Sequence, residues 1–217
     1  MIKFKEYLAE ATTAPTKDRK SKTLHAYDMD ETLFHHDHSK VKVHVIDEHG
    51  KRVHSLTNQE FNDHKLKPGH KYDFSDFKST HVFKQSAHPI RKMIKKLKDT
   101  HKKNKNVEIV TARSDMDDKP GFMRALKHHG IDPKKIRVRR TGNDKNATSP
   151  GDSKRRALHH LIKKHGYTEV HLYDDSEHNL NHFLSLKHDH PNVTLHAHHV
   201  QHDPETGKVK IKTRTLK

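Results

Sequence analysis

At 217 residues the chain accommodates one domain with an insertion and falls short of two full ones. Only 29% of it is hydrophobic, so any core is small, and 44 Lys and Arg against 28 Asp and Glu leave a formal charge of +16, with 26 histidines adding a pH-dependent part. The absence of cysteine excludes disulfides, thiol nucleophiles and cysteine-ligated metal centres. No apolar run nears the roughly 20 residues of a membrane span and no apolar signal region opens the chain, so a soluble protein without a membrane partner is expected.

In chain order, Phe4, Tyr7, Leu8 and Ala11 recur at helical spacing, which predicts a short amphipathic helix over 1–10. Residues 12–22 then hold Thr, Pro and Lys without a large apolar side chain, and form a basic linker. Short strands alternating with helices follow: strand 23–27, a hairpin of 41–46 and 52–56 around Asp47-Glu48-His49-Gly50, helix 89–101 and strand 107–110. Next come helix 120–129, strand 136–139, helix 153–165, strand 169–173, helix 177–186 and strand 193–200. This alternation predicts an α/β fold of three layers, Rossmann-like, with right-handed crossovers and a parallel sheet. The domain is expected over 23–200, with 34–88 inserted, and 201–217 as a basic tail or edge strand in which Val209, Ile211 and Thr213 alternate.

Ligands of open α/β sheets bind beyond the carboxyl ends of the strands. Four clusters fall there: Asp28-Met29-Asp30-Glu31-Thr32, Thr111-Ala112-Arg113, Gly151-Asp152-Ser153-Lys154 and Asp174-Asp175-Ser176. Asp28 and Asp30 lie two residues apart, so an extended backbone aims both to one side. Together with Asp174 and Asp175 they make a crowd of carboxylates that a hard cation such as Mg²⁺ relieves. Carboxylates, a cation, a hydroxyl and one lysine suit the holding and transfer of a phosphoryl group. In that chemistry Asp28 attacks phosphorus. Asp30, its pKa raised by the neighbouring acids, protonates the leaving oxygen, and Thr111 and Lys154 hold phosphoryl oxygens. Thr32 and Arg113 are the candidates for gripping substrate, Arg113 through its phosphate.

The ordered set of Asp28-x-Asp30-x-Thr32, the strand ending in Thr111 (VEIVTAR), Lys154 at a helix start (GDSKRRALHHLI) and Asp174-Asp175 closing a strand (VHLYDDSEHN) resembles the haloacid dehalogenase superfamily. The resemblance spans residues 23–190. It implies an Asp28 nucleophile, an Asp30 acid/base, Mg²⁺ held by Asp28, the Asp30 carbonyl and Asp174 with Asp175 beside it, and phosphatase or phosphotransferase activity. It also implies a hairpin flap and a small cap within 34–88, for which 41–56 suits the flap. In the cap, the aromatic residues of 72–83 suit either core packing or base stacking. His25 departs from the apolar first strand of that family, which implies a less deeply buried strand. Arg155 and Arg156 beside Lys154 leave open which cation serves.

The first ten residues resemble the capsid-targeting peptides of large tailed bacteriophages, with Leu8-Ala9-Glu10 in the place of the cleavage site. This implies a virion interior after cleavage following Glu10, and a cytoplasmic protein otherwise. The charge makes nucleotides or nucleic-acid phosphate ends the favoured substrates. The runs 95–105 and 137–145 offer a basic path towards the active edge. The alternatives are a DNA-associated virion protein acting by charge and a phosphatase of small metabolites. His35, His36 and His38, and His196, His198 and His199, form clusters in which no local spacing guarantees zinc geometry.

Overall fold

The computed structural model describes residues 22–217, and the amphipathic segment 1–10, the Leu8-Ala9-Glu10 site and all of the linker but Lys22 lie outside the described residues. The central strand is β1 (Thr23–Tyr27), flanked in parallel by β7 (Val107–Thr111) and β9 (Glu169–Asp174), with β8 (Arg137–Arg140) outside β7 and β10 (Thr194–His202) outside β9. An antiparallel edge strand, β11 (Val209–Leu216), completes the order β11-β10-β9-β1-β7-β8. The expected edge strand is therefore present, and its exposed Lys210, Lys212 and Arg214 discourage pairing with a further strand.

Alternation along the strands gives the sheet two unlike faces. Leu24, Ala26, Val110, Val170, Leu172, Leu195 and Ala197 point one way into an apolar core closed by α6 (Pro150–His165), α7 (Glu177–Leu184) and α8 (Leu186–Asp189). Against the other face pack α4 (Arg91–Lys103), through Met93, Ile94 and Leu97, and α5 (Lys119–His128), through Phe122, Ala125 and Leu126. Here the strands present Tyr27, Tyr173 and a row of histidines. His25 does not lift β1 out of the core, since Leu24, Ala26 and Tyr27 are fully buried. It occupies the polar side of an alternating strand. Among the described residues, no helix is long and apolar enough to cross a membrane.

Several bounds shift for local reasons. The helix expected from 89 begins at Arg91 because β6 (Ala87–Pro89) pairs antiparallel with β2 (Phe34–His36). The α6 helix begins at Pro150, whose missing N–H suits a first turn, and the Ser149 hydroxyl accepts from Asp152 N. It ends at Gly166, whose φ of 64° fits the left-handed cap. The helix expected over 177–186 divides at Ser185 into α7 and α8.

Between β2 and β6 lies the inserted segment. It holds β3 (Val43–Ile46), β4 (Arg52–Leu56), α1 (Asn58–Asp63), β5 (Lys71–Asp73), α2 (Ser75–Lys78) and α3 (Thr80–Ser86). The expected hairpin forms, and β5 adds a third strand on the free edge of β3. Val41, Val43 and Phe77 make a small core with Leu56, Phe61, Tyr72 and Phe74, and Phe61 meets Tyr72 edge to face at 4.8 Å. Phe83 packs instead with Phe34 and Phe122 in the main core. The aromatic residues of 72–83 thus take part in packing, Phe77 with half-buried Tyr72 and Phe74 in the small core and Phe83 in the main one.

Candidate functional site

Three strands deliver the site. Beyond β1, Asp28 N still donates to Tyr173 O at 2.8 Å, and then the chain turns sharply, with Leu33 N and Phe34 N both donating to Met29 O at 2.9 Å. The turn places Glu31 at φ 54°, a left-handed conformation that costs a side-chain-bearing residue about 1–2 kcal/mol. The Glu31 carboxylate offsets this by accepting from His36 N at 3.1 Å.

Asp174 ends β9, and Lys154 sits at the start of the second turn of α6. Lys154 Nζ lies 2.8 Å from Asp28 Oδ1 and 2.7 Å from Asp174 Oδ2, with the lysine only 2% exposed. The second oxygen of Asp174 accepts from Ser176 N and from Asn179 Nδ2, each at 3.0 Å. Neighbouring Asp175 joins them: ligand oxygens of Asp28, Asp174 and Asp175 all fall within 4.8 Å of one another. The neighbouring arginines are engaged elsewhere, Arg155 with Asp189 and Arg156 with Asp144 at 2.7 Å. Lys154 is therefore the lysine of this site.

The electrostatics follow from crowding. Burial pushes the Asp28 pKa up; Lys154 opposes this, Asp174 and Asp30 reinforce it, and the net displacement is upward. Desolvation and the Asp174 and Asp28 charges likewise lift Asp175 well above the usual carboxylate range. Lys154 moves up too, because its two aspartates outweigh the burial that opposes its charge. Three carboxylates facing one ammonium form an all-oxygen donor set with surplus negative charge, which fits a hard divalent cation.

Asp30 and Arg113 depart from the sequence expectation. Arg113 Nε donates to both Asp30 oxygens at 3.0 and 3.1 Å, and Nη2 donates to Oδ1 at 2.7 Å. Arg113 Nη1 donates to Phe77 O at 2.7 Å, and the guanidinium lies 5.0 Å from the Phe77 ring centroid and 5.3 Å from that of Phe83. Only 3% exposed, this arginine ties Asp30 to the inserted segment and does not reach out for a substrate phosphate. Burial by itself would raise the Asp30 pKa, as expected from its acidic neighbours, but Arg113 and then His36, 2.7 Å from Oδ1, outweigh it and hold the carboxyl well below its usual range.

Thr111, the last residue of β7, is fully buried and its hydroxyl accepts from Arg113 N at 3.2 Å. Thr32 is also fully buried, and its Oγ1 has no hydrogen-bond partner among the described residues. The sequence did not single out Ser86 or Asn179, and it offered Ser176 only as part of the Asp174-Asp175-Ser176 cluster and His36 only within a histidine cluster. His36 Nδ1 lies 3.3 Å from Ser86 Oγ, which links the Asp30 pocket to α3. The one available signal for Asn179 was its place three residues after the helix-capping Ser176.

The basic path is partly consumed: Arg139 Nε donates to Glu108 at 2.9 Å and both are buried. The two histidine clusters also regroup. Strand alternation separates His199, which bonds Glu177 and Asp175 O, from His196 and His198 on the opposite face. His35 and His38 can share an ion with Glu31, while His36 turns inward to Asp30. No protein-family model, curated protein or solved structure matches this chain, and the site stands on its own geometry.

Proposed function

We propose that the chain is a metal-dependent phosphatase of the haloacid dehalogenase type, acting through a phosphorylated Asp28. The supporting observation is the buried bridge Asp28–Lys154–Asp174, with Asp175 beside it, at the carboxyl ends of adjacent parallel strands. Asp28 Oδ attacks phosphorus as the ester P–O bond breaks, and the leaving oxygen takes a proton. Water then attacks the aspartyl phosphate, releasing phosphate and restoring the Asp28 carboxylate. A bound Mg²⁺, held by Asp28, the Asp30 carbonyl and Asp174 with Asp175, would supply positive charge for the nucleophile and the phosphoryl oxygens.

Lys154 neutralises charge gathering on those oxygens, and Asn179 with Ser176 N fixes the rotamer of Asp174. Asp30 is the second carboxyl. To protonate the leaving oxygen it must take up a proton and loosen from Arg113 and from His36, which lies 2.7 Å from Oδ1.

The favoured substrates are nucleotides or nucleic-acid ends. Support for polyanions comes from a groove of about 610 Å³ beside α4 and α5, where Arg91, Lys95, Lys98 and Lys102 face a single Asp99. The same groove favours a second reading, DNA association by charge alone. A phosphatase screen over 5′- and 3′-phosphorylated oligonucleotides, nucleotides and sugar phosphates in Mg²⁺, with Asp28→Asn as control, separates them. Turnover of nucleotide ends that vanishes in Asp28→Asn supports the first reading. Preference for sugar phosphates moves the substrate to small metabolites. Absent turnover with tight, strongly salt-dependent duplex binding supports the second.

A further inference from the structure

We infer that Glu169, His171 and His196 form a second metal site, for a zinc-class ion and independent of the phosphatase reading. His171 and His196 stand directly opposite each other in the β9–β10 register, and Glu169 precedes His171 by two residues, so all three share one face. The site lies near the amino end of β9. His171 precedes Asp174 by three residues, about 10 Å along the strand.

The spacing is that of a coordination shell. Glu169 Oε1 is 3.0 Å from His196 Nε2 and 3.3 Å from His171 Nε2, and the three ligand atoms lie within 4.8 Å of one another. Donors bound at 2.0–2.1 Å in a tetrahedron are separated by about 3.3 Å. The two rings are parallel, their centroids 4.2 Å apart, so both Nε2 atoms meet the same carboxylate oxygen.

The second observation is that the remaining polar atom of every ligand is already held. His171 Nδ1 lies 2.9 Å from His198 Nε2, and His198 Nδ1 lies 2.8 Å from Thr213 Oγ1. His196 Nδ1 lies 2.9 Å from Thr215 Oγ1, and Thr23 Oγ1 donates to Glu169 Oε2 at 2.8 Å. Outer hydrogen bonds of this kind orient metal-ligating imidazoles and carboxylates. A parallel sheet ordinarily fills such positions with Val or Ile.

Two nitrogens and one oxygen select Zn²⁺, Co²⁺ or Ni²⁺ over Mg²⁺ or Ca²⁺. Exposure of 40% for the Glu169 side chain, against 16% and 19% for those of His171 and His196, leaves room for a water or an incoming ligand as the fourth donor. On the facing helix Lys96 lies over the Tyr173 ring at 5.3 Å, and its charge still reaches His171. Binding here would clip β9 to β10 and, through Thr23, to β1.

The test titrates untagged, chelator-stripped full-length protein with Zn²⁺ by calorimetry in excess Mg²⁺, added to compete for the oxygen cluster, and follows Co²⁺ by its visible absorption. One equivalent is expected to bind well above the background of the other histidines, with a rise in Tm. His196→Asn and Glu169→Gln should each abolish that equivalent, Thr215→Val should weaken it roughly 10–100-fold, and His49→Asn, on an exposed turn, should leave it intact. Circular dichroism of each variant in chelator checks the fold, so that lost binding in a folded variant supports the site. Only weak multi-site binding, unchanged affinity in His196→Asn and Glu169→Gln, or an equivalent removed by His35→Asn instead, would overturn it.

Discussion

Two clusters on the same sheet are built from the same strand, β9, and differ in nearly every physical respect. At its carboxyl end half-buried Asp175 and buried Asp174 join Asp28 in a group of oxygens whose charge one lysine offsets only in part. Near its start Glu169 and His171 meet His196 in a half-exposed group of mixed nitrogen and oxygen whose partners are hydroxyls and other imidazoles. The stacked pair Tyr27 and Tyr173, 4.3 Å apart, stands between them on that face. Burial and charge density decide the chemistry each cluster supports. The first crowds carboxylates whose oxygens and charge suit a hard cation; the second sets two imidazole nitrogens and one carboxylate oxygen, a donor set that suits a borderline one.

The largest expected break in this contrast comes from Lys154. Lys154→Ala leaves Asp28 and Asp174 buried without their shared cation, a loss of about 3–5 kcal/mol measured by denaturant unfolding in chelator. Mg²⁺ should return part of that loss in the variant. A loss below about 1 kcal/mol in chelator would mean the two carboxylates are not ionised together. Next is Arg113→Lys, which keeps the charge but not the forked contact with Asp30 and Phe77 O, at about 1–3 kcal/mol. It should also raise the Asp30 pKa and move the alkaline limb of the pH–rate profile, where the general acid loses its proton, towards higher pH. An unmoved limb would detach Asp30 from proton transfer.

The smallest effect is carried by the histidine face. Burial and then the neighbouring His171 lower His25 to a pKa of about 4, and burial, His171 and His196 lower His198 to about 3. Both lie below the 6.5 of the unfolded chain, so the unfolded state takes up protons first on acidification. The stability these groups contribute is complete above about pH 6.5 and is lost as pH falls towards 4 and then 3. Tm against pH in chelator should fall across that window, and less steeply in His198→Asn. Equal slopes in both proteins would deny His198 a part in the loss.

The alternation of strands and helices was readable because each apolar residue of TLHAY, VEIVT and EVHLYD faces a helix layer whose own period of 3.6 is intact. The acids at strand ends were readable as neighbours for the same reason: once the strands are parallel, their ends coincide. Strands β2 and β6 were not, since three residues each, with histidines, leave too little pattern. Nor was the Arg113–Asp30 pairing, which depends on Phe77 and His36 arriving from the insertion. The Glu169–His171–His196 group is invisible in any one segment, because it exists only in the register between β9 and β10.

The central claim, a nucleophilic Asp28, is tested most directly by acid-quenching the protein during turnover of a ³²P-labelled phosphomonoester in Mg²⁺. The account predicts a label bound to protein, released by hydroxylamine, mapped to the peptide carrying Asp28 and absent in Asp28→Asn. Sustained hydrolysis with no label on the protein, or a label that persists in Asp28→Asn, would contradict it.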